Sequence, residues 1–247
     1  MKLYKDELIW IVGASSGIGR ALAIELSNQG ARLILSARNH QKLDELNAQL
    51  GDRHIVYPLD AKKRDDYLGL EGHIGAGIDR AIFMAGIYEP MKIESFDLGM
   101  TEDIISTNLT GAIYFVHAVL PAFLRQRRGQ IAICASVAGY CGLPNSQPYG
   151  ATKAALINYT ESLRSEVAGR GIDVRIINPG FVRTPLTDKN NFRMPMITEP
   201  EKAAEIIALG LKKGGFEIHF PRRFTIMLKI LSWLPYSIYF RLVRRAV

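Results

Sequence analysis

The sequence predicts a doubly wound α/β domain, a parallel sheet of about seven strands with helices on both faces. Three observations carry this prediction. Apolar β-type runs alternate with helix-period segments, the runs are nearly continuous in Val, Ile and Leu, and a glycine-rich turn joins the first run to the first helical segment. Strands without a polar alternate face are covered on both sides, as in a parallel sheet.

The expected strands are Ile9–Val12, Arg32–Ser36, His54–Pro58, Ile78–Phe83, Gln130–Ala135, Val174–Asn178 and Glu217–Phe220. The expected helices are Gly17–Asn28, His40–Leu50, Thr101–Leu124, Gln147–Ala168 and Pro200–Leu211. No Pro/Gly/Ser-rich linker interrupts this order, so residues 1–223 form one catalytic-sized domain. Residues 224–247 form an apolar and basic C-terminal extension, packed on that domain or on a partner surface. In a doubly wound sheet, ligands bind beyond the carboxyl ends of the strands, where the winding reverses.

Composition excludes several classes. The chain has 247 residues, 48% hydrophobic and 22% charged, enough to bury a core without disulfides or structural metals. Cys134 and Cys141 lack CxxC spacing, and the apolar run at Leu8–Val12 is too short for a signal peptide, so a cytoplasmic protein is expected. The five histidines have no metal-ligand spacing, and no metal is expected. Net charge is +7, but Arg222, Arg223, Lys229, Arg241, Arg244 and Arg245 stand against Glu217 alone in residues 214–247. The basicity belongs to the tail and comes without a nucleic-acid motif.

Gly13, Ser15, Ser16, Gly17, Ile18 and Gly19 lie between the first strand and first helix. Glycine lets the chain turn tightly and approach a ligand closely, and a helix N-terminus offers free N–H groups to a pyrophosphate. A lone glycine triplet would be an ordinary turn; the strand before it and the helix after it make it a phosphate cradle. Near the end of the second strand, an NAD enzyme needs an acid for the ribose 2′-OH, whereas NADP needs a cation. Ser36 is taken as the residue at the acidic position and Arg38 as the phosphate ligand, which favours NADP(H) over NAD(H). Asp60, after the third strand, can serve as the N-cap of a helix starting at Ala61.

Tyr149 and Lys153, four apart on a helix, project from one face. A phenol is a poor base at neutral pH, and an ammonium one turn away stabilises the phenolate. This spacing is common on helix surfaces. Ser136, thirteen residues earlier at a strand end, supplies the context.

Together these motifs resemble the short-chain dehydrogenase/reductase family over residues 8–221, with GxxxGxG rather than GxGxxG spacing. The resemblance implies a Rossmann-type fold and a catalytic set of Asn108, Ser136, Tyr149 and Lys153, with Asn108 holding a water that links Lys153 to solvent. It also implies cofactor contacts from Ala85, Gly86, Pro179, Gly180, Val182 and Thr184, besides the glycine turn, and gives Asp60 an alternative role as a contact to the adenine amino group. The family's Thr before the first glycine and its Asn-Asn-Ala-Gly motif are replaced here by Val12 and by Phe83-Met84-Ala85-Gly86, so apolar packing is expected in place of a polar tie.

The implied activity is hydride exchange between NADP(H) and a carbonyl/alcohol pair. Phe192, Met194, Pro195 and Met196, facing Cys141, Leu143 and Pro144, would give a lipophilic pocket. A 3-oxoacyl-thioester or steroid reductase and a non-catalytic NADP-binding sensor or membrane scaffold are the rivals. The resemblance further implies a homodimer or homotetramer through Thr101–Leu124 and Gln147–Ala168. In the tail, Phe224–Leu234 and Tyr236–Val243 flank Pro235, and the longest uncharged run has eleven residues, too few to span a bilayer. Packing on the protein and peripheral membrane contact both remain open for this segment.

Overall fold

The computed structural model describes residues 2–74, 77–192 and 194–243. Seven strands, β1 (Leu8–Val12), β2 (Arg32–Ser36), β3 (Ile55–Val56), β4 (Arg80–Phe83), β5 (Gly129–Cys134), β6 (Ile172–Pro179) and β7 (Glu217–Phe220), form one sheet. Its order is β3-β2-β1-β4-β5-β6-β7, and every neighbouring pair is parallel. The winding reverses between β1 and β4, which puts the crevice beyond Val12 and Phe83.

Successive strand residues point to opposite faces, and the two faces carry separate cores. Ile9, Ile11, Leu33 and Leu35 pack with α1 (Gly17–Asn28), α2 (His40–Gln49) and α7 (Pro200–Lys212). Trp10, Ile34, Phe83 and Ile131 pack with α5 (Gly111–Gln126) and α6 (Tyr149–Glu166) on the other face. Trp10 is fully buried, its ring 5.0 Å from Phe115 and 6.1 Å from Tyr67.

The sequence pattern and the structure differ at three places. The expected single helix Thr101–Leu124 is α4 (Leu98–Ile105), a π-helical turn over Ser106–Thr110, and then α5. A π turn carries one extra residue, which re-aims the side chains on it. The third strand pairs over only two residues, and the chain then forms a 3-10 segment, Arg64–Leu70, followed by the short α3 (Glu71–Ile74). Asp60 therefore caps no helix at Ala61; its carboxylate accepts from the Lys62 N–H, 3.1 Å away, in a turn.

The C-terminal segment forms α8 (Arg222–Trp233) and α9 (Tyr236–Val243). Phe224 and Leu228 pack against Val137 on the domain. Glu217 accepts hydrogen bonds from Lys229 on α8, from Tyr140 and, at 2.7 Å, from Asn178. Arg244 and Arg245 lie outside the described residues.

Candidate active site

A cleft of about 440 Å³ opens at the crevice between β1 and β4, and the glycine turn forms its floor. Gly13 has φ +97°, and a Cβ there would lie 2.5 Å from the Ala85 nitrogen. A Cβ on Gly19 would lie 2.1 Å from the Gly13 carbonyl oxygen, so only glycine allows this approach. The Gly13 and Ala14 N–H groups donate to the Ser36 carbonyl at 2.7 and 3.1 Å, and the Met84 N–H donates to the Val12 carbonyl at 2.7 Å. The main chain thus supplies the link between the strand ends.

Ser16 is the N-cap of α1, and its side chain forms no cap bond. The first-turn N–H groups of α1 are therefore oriented to receive an anion at the cradle. Ser15, Ser16, Gly17 and Ile18 all border the cleft. So does Thr107, whose buried hydroxyl has no partner among the described residues. A narrow glycine cradle, an uncapped helix end and an orphaned hydroxyl fit a dinucleotide.

The structure corrects one cofactor assignment. Ser36 is fully buried and its hydroxyl accepts from the Trp10 indole N–H at 2.9 Å, so its side chain faces the core. The residue that meets the cleft at this strand end is Ala37, followed by Arg38 and Asn39. Arg38 is exposed on the rim, and Asp60 borders the same end. Ala85 and Gly86 form one wall, and Pro179, Gly180, Val182 and Thr184 form the opposite one.

The residues expected to react, Ser136, Tyr149 and Lys153, converge at the other end. Ser136 follows β5 in extended backbone (φ −173°), and its Oγ accepts from the Ala138 N–H at 3.1 Å. Tyr149 opens α6, and one turn later Lys153 places its Nζ 5.4 Å from the phenol ring centre. Lys153 is only 3% exposed and donates to the Cys134 carbonyl at 2.9 Å. Burial raises the Tyr149 phenol above its ordinary range, with Cys134 adding to this and the neighbouring Ser136 hydroxyl opposing it. Burial also lowers Lys153, and Cys134 works against that shift. Desolvation thus outweighs the expected lowering of the phenol by the ammonium.

Asn108 sits on the π turn and does not border the cleft directly. Its Oδ1 accepts from the Ile87 N–H at 2.8 Å, and its Nδ2 donates to the Ile87 carbonyl at 3.0 Å and to Thr152 Oγ1 at 3.3 Å. Both amide protons are engaged, so the side chain ties the β4 loop to α6 and could meet a relay water only as an acceptor. Its Oδ1 lies near Gly86, where a Cβ would be 3.4 Å from it and 3.5 Å from Lys153 Nζ.

The substrate end differs from the expected lining. Cys141, Leu143, Pro144, Phe192, Met194, Pro195 and Met196 do not border the cleft; Met84, Ile87, Pro185, Leu186 and Lys189 do. Phe192 lies instead 5.7 Å from Phe181, and Cys141 adjoins Tyr239 of α9, whose hydroxyl donates to the Gly142 carbonyl. Sequence reasoning also missed Tyr88, whose ring meets Tyr149 edge-on at 5.0 Å and whose hydroxyl donates to Asn190 at 2.9 Å. Its position just after Ala85-Gly86 was the one available signal.

Residues 7–194 match the short chain dehydrogenase family. The chain belongs to that family. It is similar to an uncharacterized oxidoreductase of Myxococcus xanthus, 34% identical over 242 residues, which cover 95% of each chain. An uncharacterized oxidoreductase of Staphylococcus epidermidis is 35% identical over 215 residues, 85% of this chain and 93% of that one. Among solved structures, a short-chain dehydrogenase of Streptomyces avermitilis superposes with a TM-score of 0.79 at 25% identity, covering 92% of both chains. A short chain dehydrogenase of Burkholderia cenocepacia, solved in complex with NADP, gives 0.85 at 22% identity, over 97% of this chain and 98% of that one. As a short chain dehydrogenase, the protein is an oxidoreductase of a family that binds a nicotinamide cofactor and acts on small molecules.

Proposed function

We propose that this short chain dehydrogenase reduces a lipophilic ketone or aldehyde with NADPH, and oxidises the corresponding alcohol in reverse. The observation that carries the reading is the meeting of Ser136, Tyr149 and Lys153, from a strand end and a helix, at one end of a cleft floored by the glycine turn. A sensor needs the cradle but has no use for a buried phenol beside a hydroxyl and an ammonium. NADPH rather than NADH is favoured because Ala37 and Arg38, not a carboxylate, stand where the ribose 2′ position is held. Ile87, Pro185 and Leu186 support an apolar substrate.

The bound nicotinamide supplies the hydride, and the protein supplies position, field and a proton. Tyr149, held protonated by burial, donates its O–H proton to the carbonyl oxygen as negative charge develops there. Ser136 Oγ accepts from Ala138, and its own proton, held only by a long 3.5 Å contact to the Pro179 carbonyl, can turn to donate to the same oxygen. Lys153 keeps one N–H on the Cys134 carbonyl and has two more for the ribose and for the Tyr149 side of the cleft. Asn108 is a positioning residue, holding Ile87 and Thr152 around Lys153.

A cytoplasmic homodimer or homotetramer is part of this proposal. Ile105, Ile113 and Leu124 leave apolar surface exposed along α4 and α5, available for pairing between copies. A panel of ketones, aldehydes and secondary alcohols, followed by NADPH absorbance, tests the reaction. Consumption of NADPH with an apolar carbonyl supports it; tight NADPH binding without turnover on any compound favours the sensor.

A further inference from the structure

We propose that the exposed face of α8 and α9 docks the protein on the anionic headgroup layer of a lipid bilayer. Helix α8 has two apolar stripes, and folding uses one of them. Phe224 and Leu228 are buried on the domain, with Leu231 partly buried beside them. Ile226, Met227, Ile230 and Trp233, at helical spacing on the other side, are 49 to 82% exposed. The stripe continues past Pro235, where the Tyr236 and Phe240 rings stack at 5.8 Å, 78 and 52% exposed. Isolated exposed apolar residues are ordinary, but a continuous aromatic and aliphatic face on consecutive helices marks an interaction surface.

The charge around this face selects the partner. Residues 218–247 contain six Lys and Arg and no Asp or Glu. Lys229 is committed to Glu217, whereas Arg222, Arg223 and Arg241 are exposed. A second copy of the chain, meeting this face by a two-fold axis, would set these arginines against their own kind with no acid from the segment to pair them. Anionic lipid complements both the arginines and the apolar stripe. Helices of twelve and eight residues are too short to cross a bilayer, but they suit lying in its interface. Through Lys229 and Glu217 the docked helix would be fixed to Tyr140 and to Asn178, the residue before Pro179 of the cleft wall, so the mouth would keep a set orientation to the membrane. This docking does not depend on which reaction the cleft performs.

The test is sedimentation of the full chain with phosphatidylcholine vesicles, with and without phosphatidylglycerol, alongside gel filtration. Two variants change exposed side chains only: Ile230→Ser with Trp233→Ser, and Arg222→Gln with Arg223→Gln and Arg241→Gln. The parent chain is expected to pellet with anionic vesicles at low salt and to be released at high salt. Losing three arginines should weaken binding roughly a hundred-fold, at about five-fold each. The apolar pair should abolish binding, with circular dichroism and oligomeric state unchanged. A parent chain that stays in solution with anionic vesicles overturns the proposal. So does an apolar variant that turns an oligomer into monomers, which would assign the face to a second copy.

Discussion

Gly139 lies against the backbone of Lys153 so closely that a Cβ at position 139 would sit 2.6 Å from the Lys153 carbonyl carbon. This approach joins the turn carrying Ser136 to the helix carrying Tyr149 and Lys153. Because the obstructing atoms are backbone, a methyl group cannot be accommodated by a rotamer change. Gly139→Ala is expected to cost about 1–3 kcal/mol through overpacking, lowering Tm by roughly 2–4 °C per kcal/mol. If the proposed roles of Ser136, Tyr149 and Lys153 hold, turnover should fall at least ten-fold as the two elements separate. Gly72→Ala, where a Cβ meets nothing within 4 Å, is the matched control and should change neither Tm nor turnover.

Cofactor choice depends on two adjacent positions. Arg38→Ala should weaken NADPH roughly 10- to 150-fold, since a charge-assisted contact contributes about 1.5–3 kcal/mol, and leave NADH nearly unchanged. Ala37→Asp should place a carboxylate at the ribose 2′ position and reverse the preference toward NADH. Ser36→Asp should instead bury a carboxylate beside Trp10 and lower stability without a gain in NADH affinity. Calorimetric titration of all three variants with both cofactors, with melting curves, separates these outcomes.

The Ser36 position shows how far the sequence alone could reach. The alternation of strands and helices, the glycine turn and the Tyr149–Lys153 pair were legible because each depends on a local period or on spacing. Whether Ser36 or Ala37 faces the cleft depends on where β2 ends and the sheet face ceases to matter, a one-residue question that the alternation leaves open. The π turn at Asn108 was hidden because the apolar helical period continues on both sides of it. The 3-10 segment Arg64–Leu70 was missed because its charged residues show no period. Cys141 was assigned to the pocket by proximity in sequence, but the chain turns it toward Tyr239.

Stability should fall in mild acid through His54. Its Nδ1 accepts from the Leu33 N–H at 3.2 Å, and Nε2 lies 2.9 Å from Ser27 Oγ, so the neutral ring satisfies both neighbours. Protonating Nδ1 would set two donors against each other. Burial, with Arg53 and Arg32 nearby, lowers the imidazole from 6.5 to about 4. Between these values the unfolded chain binds a proton that the folded chain does not, so folding free energy is lost as pH falls from 6.5 toward 4. The loss is at most about 3 kcal/mol. Urea unfolding at neutral pH and in mild acid should show a steeper decline for the parent chain than for His54→Gln; equal declines would mean that another group controls the acid limb.

The central claim is that the Tyr149 hydroxyl delivers the proton to the substrate oxygen, and Tyr149→Phe tests it most directly. With the best carbonyl from the substrate panel, NADPH oxidation by this variant should be slower by roughly three or more orders of magnitude, combining lost acid catalysis and lost oxyanion stabilisation. NADPH affinity and melting temperature should stay close to those of the parent chain. A Phe variant that binds NADPH normally and keeps a tenth of the parent kcat would contradict the assignment of Tyr149 as the acid.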